Sequence, residues 1–141
     1  MRAVDARTGI EWLDREECLA LLGAEVVGRL GIVTGGAPTI FPVNYALDGD
    51  TVVFRVDPGT KLDQGPRAPV CFEIDRVDPG RRTGWSVVVA GRLEEVTAGD
   101  AATFDRVHRV PVQPWAGGDK DHWMRVVPSS ITGRRIPPAQ P

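Results

Sequence analysis

The chain is poor in the side chains that most often hold metals or carry catalysis: it has two histidines and two cysteines in 141 residues. His108, His122, Cys18 and Cys71 show no metal-ligand spacing, so no structural zinc is expected. Both cysteines fall in apolar segments and read as buried thiols of a reducing compartment, with a disulfide between them as the alternative. Charge of one sign is also lacking. Seventeen basic and 19 acidic residues leave a net charge of −2. Nucleic acid and anionic membranes both reward a basic surface, so neither is expected as the main partner. No apolar run approaches the roughly 20 residues needed to span a bilayer. The opening MRAVDARTGIEW lacks the apolar centre of a signal peptide, and a cytoplasmic location is expected. Gly-x-Ser-x-Gly, Walker-type and Gly-x-Gly-x-x-Gly elements are absent, which leaves hydrolase, nucleotidase and Rossmann readings without support.

What is present is glycine and proline, 16 and 12 of them, between β-prone runs. That composition predicts a mainly β fold with flanking helices. The central stretch is Thr39–Lys61. Two apolar runs, Thr39–Leu47 and Thr51–Val56, flank Asp48-Gly49-Asp50 and predict a hairpin, because Gly accepts the positive φ of a tight turn. Pro42 cannot donate to a ladder, so it marks an edge or a bulge. Asn44 beside it fits either a directed hydrogen bond to a heterocycle or a satisfied amide near a turn. After Arg55 the chain enters Asp57-Pro58-Gly59-Thr60-Lys61, a turn in which Thr60 can cap a short helical segment. Backbone N–H groups, a hydroxyl and a lysine together suit an anion, and Arg55 lies close enough in sequence to join them. The competing reading pairs Asp57 with Lys61 in a surface salt bridge of little worth.

The remaining elements frame this stretch. Residues 1–12 read as a loose arm, 13–136 as one domain and 137–141 as a tail. Asp14 is the expected N-cap of a helix, with Glu17 as capping-box partner and Cys18, Leu21 and Leu22 on its apolar face. Strands are expected at Val26–Val33, Pro69–Asp75, Trp85–Val96 and His122–Val127. Gly28 and Gly31 suggest a bulge or a close approach, and Gly91 a bend. Arg29 is expected to face solvent, as are Glu73 and Asp75, which share a face. Ala98–Val110 predicts a second helix, and Pro111–Asp121, carrying Trp115, a loop able to cover a pocket.

The ordered set Pro42-Val43-Asn44, Phe54-Arg55, Gly59-Thr60-Lys61 and Gly84-Trp85-Ser86-Val87-Val88-Val89, with Gly91 after it, resembles the pyridoxamine 5′-phosphate oxidase-like family of flavin-binding split barrels. It is most similar to the small bacterial branch that includes nitroimidazole-reductase-like proteins. The resemblance implies a six-stranded split β-barrel and a homodimer with flavin mononucleotide (FMN) at the subunit interface. It places the phosphate on Arg55, Thr60 and Lys61, and the ring along Phe41, Pro42, Val43 and Asn44. Val56 would meet the ribityl chain, and Trp85 and Ser86 would reach the flavin from the partner subunit. The C-terminal segment of true pyridoxamine phosphate oxidases, rich in substrate-phosphate ligands, is not matched, so vitamin B6 oxidation is not implied.

Three functions follow as expectations. The first is an FMN-dependent oxidoreductase acting on a small organic molecule, with the chemistry residing in the cofactor. The catalytic side chain is unassigned; His108 and His122 are the available proton donors. The second exchanges FMN for a deazaflavin, whose acidic tail would meet Arg81, Arg82, Arg134 and Arg135. The third is a non-enzymatic flavin or haem carrier, or a barrel without ligand.

Overall fold

Alternation of apolar and polar residues dictates most of the architecture. The computed structural model describes residues 3–57, 68–118 and 120–139, and these form eight strands and two helices. In order they are β1 (Ala3–Val4), β2 (Glu11–Leu13), α1 (Arg15–Ala24), β3 (Val27–Thr34), β4 (Ala37–Asp48), β5 (Thr51–Val56), β6 (Ala68–Asp78), β7 (Thr83–Glu95), α2 (Ala101–Val107) and β8 (His122–Ile136). The sheet order is β1-β2-β8-β5-β4-β3-β6-β7, and β7 pairs again with β8. Six strands, β3 to β8, therefore close into a barrel, and β1 and β2 extend the sheet beyond it. All of these pairings are antiparallel. Within the stretch read as an arm, Ala3 and Val4 pair with Trp12 and Glu11. Strand β2 in turn joins β8, with Glu11 opposite Arg135, Trp12 opposite Arg134 and Leu13 opposite Gly133.

The barrel interior takes one face of each strand. Leu30, Tyr45, Val52, Phe54, Phe72, Ile74, Val87, Val89 and Val126 are all buried there. Phe54 and Phe72 are fully buried, and burial of such a side chain stabilises by roughly 1.5–3 kcal/mol. Helix α1 adds Cys18 and Leu22 to the same cluster. Its start is the expected capping box, with Asp14 accepting from the Glu17 amide and the Glu17 side chain accepting from the Asp14 amide. The buried Tyr45 hydroxyl donates to the Leu22 carbonyl at 2.6 Å and ties the helix to β4. In β5, Val52, Val53 and Phe54 are buried in succession. The reason is a second, smaller cluster outside the barrel, where Val53 packs with Val96, Val107, Val112 and Trp123 beneath α2.

Two glycines explain how the strands fit. A Cβ on Gly28 would lie 2.1 Å from the Phe72 ring, so that position admits the ring only when bare. A Cβ on Gly91 would lie 2.1 Å from the Val127 carbonyl oxygen, and the β7–β8 register shifts between Ala90 and Gly91, where the bend was expected. The predicted hairpin is present: Asp48 pairs with Thr51, and Gly49 has φ of +64°.

Two expectations are corrected. Cys71 is exposed, not buried, although both cysteines are free thiols. It alternates with Val70 and Phe72, which occupy the interior, so its own side chain points outward. The last strand continues past Val127 to Ile136. Pro128 does not end it, because the proline sits at the irregular register opposite Gly91, between the segments of β8 that pair with β5 and with β2. There its missing N–H breaks no second ladder. No helix among the described residues is long and apolar enough to cross a membrane.

Candidate functional site

Strands β4 and β5 carry six of the residues singled out in the sequence: Phe41, Val43 and Val56 on the face that packs on the barrel core, and Pro42, Asn44 and Arg55 on the outer face. β4 pairs with β3 from Ala37 to Asn44, but with β5 only from Tyr45 to Asp48. Among the described residues, no strand pairs with the second edge of β4 over Phe41, Pro42 and Val43. This half-free strand contains Pro42, in keeping with the edge expected for it. An unpaired strand edge presents backbone donors and acceptors to whatever lies against it.

Arg55 stands beside that edge. Its Nε donates to the Lys120 carbonyl at 2.9 Å, and its guanidinium carbon lies 4.8 Å from the centroid of the Trp123 ring. Among the described residues, the terminal nitrogens of Arg55 have no partner. One end of the guanidinium is therefore braced and the other is available to an anion. Trp123 is itself braced: His108 stacks on it at 4.7 Å and on Phe104 at 3.9 Å, while His108 Nδ1 lies 2.7 Å from the Phe104 carbonyl. His108 thus belongs to the packing at the end of α2. His122 pairs with Glu95 at 2.8 Å.

The segment between α2 and β8 fastens onto the same place. The Trp115 amide donates to Asn44 Oδ1 at 2.8 Å, and Asn44 Nδ2 donates to the Val26 carbonyl at 3.4 Å. The Asn44 side chain is therefore committed to the protein, and its backbone is the part left for a ligand. Lys120 Nζ pairs with the Asp57 carboxylate at 2.5 Å. Thr60 and Lys61, read as the rest of the anion site, lie outside the described residues. Val56 ends β5 opposite His122 and packs against the barrel core.

Trp85 and Ser86 are elsewhere. They sit on β7, and β3 and β6 separate them from β4. Three strand spacings put the two groups roughly 14 Å apart across the sheet. Trp85 and Ser86 line a groove of about 670 Å³ with Glu73, Asp75, Arg82 and Arg134. Trp85 also borders a neighbouring groove of about 720 Å³ that includes Arg81 and Arg135. Arg29 lies on the outer face, 37% exposed as expected of a solvent-facing side chain, and there reaches Glu73 at 2.7 Å and Asp75 at 3.0 Å. Burial and a hydrogen bond to Asp75 raise the Glu73 carboxyl above its ordinary value, against the opposing pull of Arg29.

Sequence reasoning missed Trp123 and Lys120 as supports of Arg55. Their signal is the β5–β8 register, which sets Arg55 against Trp123 and is not visible in local patterning.

Comparisons with known proteins agree with this architecture. The uncharacterized protein Rv0080 of Mycobacterium tuberculosis is 35% identical over 137 residues, covering 93% of this chain and 88% of its own. The structure of an FAD binding protein from Mycobacterium smegmatis is similar at 37% identity and a TM-score of 0.76, covering 89% of this chain and 99% of that one. An FAD-binding protein from Mesorhizobium loti is similar at 26% identity and a TM-score of 0.71, with 91% and 99% covered. The family model for pyridoxamine 5′-phosphate oxidase matches residues 14–135. With that match across nearly the whole barrel, the chain belongs to the pyridoxamine 5′-phosphate oxidase-like family.

Proposed function

We propose that the protein is a flavin-dependent oxidoreductase for a small organic molecule, working as a homodimer. The observation that carries this reading is the free edge of β4 at Phe41–Val43 beside an arginine whose terminal nitrogens are uncommitted among the described residues. A flat heterocycle with hydrogen-bonding groups along one side fits such an edge, and a phosphate fits the arginine. The M. smegmatis and M. loti relatives, described as FAD binding, support a flavin over other heterocycles. A bound flavin supplies hydride or single-electron transfer. The chain's own part is to bind and orient: Asn44 offers backbone groups beside the Val43 side chain, Arg55, Thr60 and Lys61 hold phosphate charge, and Val56 borders the linker.

The separation of Trp85 and Ser86 from β4 supports a second copy as the source of those two residues. A ligand lying along β4 of one subunit would meet Trp85 and Ser86 of the other. One phosphate site is sufficient for FMN, whereas FAD would need a further contact for its adenine. A deazaflavin is the second reading, favoured by Arg81, Arg82, Arg134 and Arg135 in the grooves around Trp85.

The test is an absorption spectrum of the purified protein, then titration with FMN, FAD and a deazaflavin, with the mass in solution followed by sedimentation. Sub-micromolar binding of a flavin by a dimer is expected. Binding of none of the three would overturn the reading.

A further inference from the structure

We infer that Trp115 is a stacking platform for the adenine of a flavin dinucleotide, which makes the α2–β8 segment the part of the site that selects FAD over FMN. The inference rests on the flavin reading above and extends it to residues that reading does not use. Trp115 is 74% exposed, more than any other large apolar residue described. An indole left in water costs free energy, and loops usually fold such a ring inward. Here the surrounding segment is held firmly while the ring is not covered. Val112 is buried against Val53 and Trp123 at one end. The Trp115 amide is fixed to Asn44, and Lys120 holds both Arg55 and Asp57 at the other end.

Position gives the ring its partner. Asn44 and Arg55 are the next positions beyond the Tyr45–Phe54 pair, where the β4–β5 ladder ends, and both side chains leave on the face opposite to the buried Tyr45 and Phe54. Trp115 therefore stands over the strand next to the arginine that would take the phosphate. A nucleotide extending from that phosphate would meet the indole, and a purine stacks on an indole without needing a specific hydrogen bond. FMN ends at its phosphate and has nothing to place there.

The experiment titrates FAD and FMN against the flavin-free full chain, the Trp115→Ala variant and the Trp115→Phe variant. Trp115→Ala is expected to weaken FAD about tenfold, to leave FMN within about twofold, and Trp115→Phe to restore most of the loss. Unchanged FAD affinity would overturn the assignment. So would an equal loss for both flavins, and a shift from dimer to monomer alongside it would move Trp115 to the subunit interface. If the unaltered protein binds FMN but not FAD, the flavin reading stands and this assignment falls; if it binds neither, both fall.

Discussion

Replacing Arg55 with alanine separates phosphate recognition from ring recognition. In the structure the side chain makes one hydrogen bond to the Lys120 carbonyl and one stacking contact with Trp123. Losing the hydrogen bond costs about 1 kcal/mol and losing the stack about 0.5–1 kcal/mol. The folded protein should survive, with a modest fall in Tm. Binding should suffer more. A charge-assisted contact to phosphate contributes about 1.5–3 kcal/mol, which corresponds to roughly 10- to 150-fold in Kd. Riboflavin carries the same ring without phosphate, so its affinity should change little. The assay is quenching of flavin fluorescence, with FMN and riboflavin titrated in parallel against both proteins. Equal losses for FMN and riboflavin would show that Arg55 supports the pocket's shape. An unchanged FMN affinity would remove Arg55 from the site.

Two further changes probe the framework. Gly91→Ala would drive a Cβ to 2.1 Å from the Val127 carbonyl oxygen, and overpacking of this kind costs about 1–3 kcal/mol; urea unfolding should show the midpoint fall without a change in slope. Glu73 holds its proton more tightly in the folded chain than in the unfolded one, so its contribution to stability is present in acid and is lost as pH rises from the ordinary glutamate value through the raised one; Glu73→Gln should flatten Tm against pH across that window, and an unaltered slope would contradict the shift.

Local signals in the sequence were reliable where the chain meets itself at short range. Asp14 with Glu17 and the Asp48-Gly49-Asp50 turn follow from chemistry within a few residues and are present, and the strand register shifts at Gly91, where the sequence marks an irregularity. Pro42 likewise announced a strand edge. The outward position of Cys71 was legible too, since Glu73 and Asp75 share its parity, but its apolar neighbours outweighed the alternation. The reach of β8 was obscured because Pro128 looks like a terminator until Gly91 is known to lie opposite it. The supports of Arg55 and the clamp on Arg29 were beyond local reading. Arg55 and Lys120 are 65 residues apart, and Arg29 and Glu73 are 44 apart, so only the strand order brings them together.

The place of β8 also constrains how the molecule assembles. This strand is the last of the eight along the chain, yet it pairs with β7 along most of its length, with β5 at one end and with β2 at the other. Until it docks, β5 and β7 expose open edges and the barrel remains an unclosed sheet. The pairing of β2 with β8 spans nearly the whole sequence, and such long-range closure slows folding. During synthesis the earlier strands must wait with their edges bare, the condition under which sheets aggregate. Loss of the C-terminal strand would therefore cost the protein its closure as well as the Trp123 ring that braces Arg55.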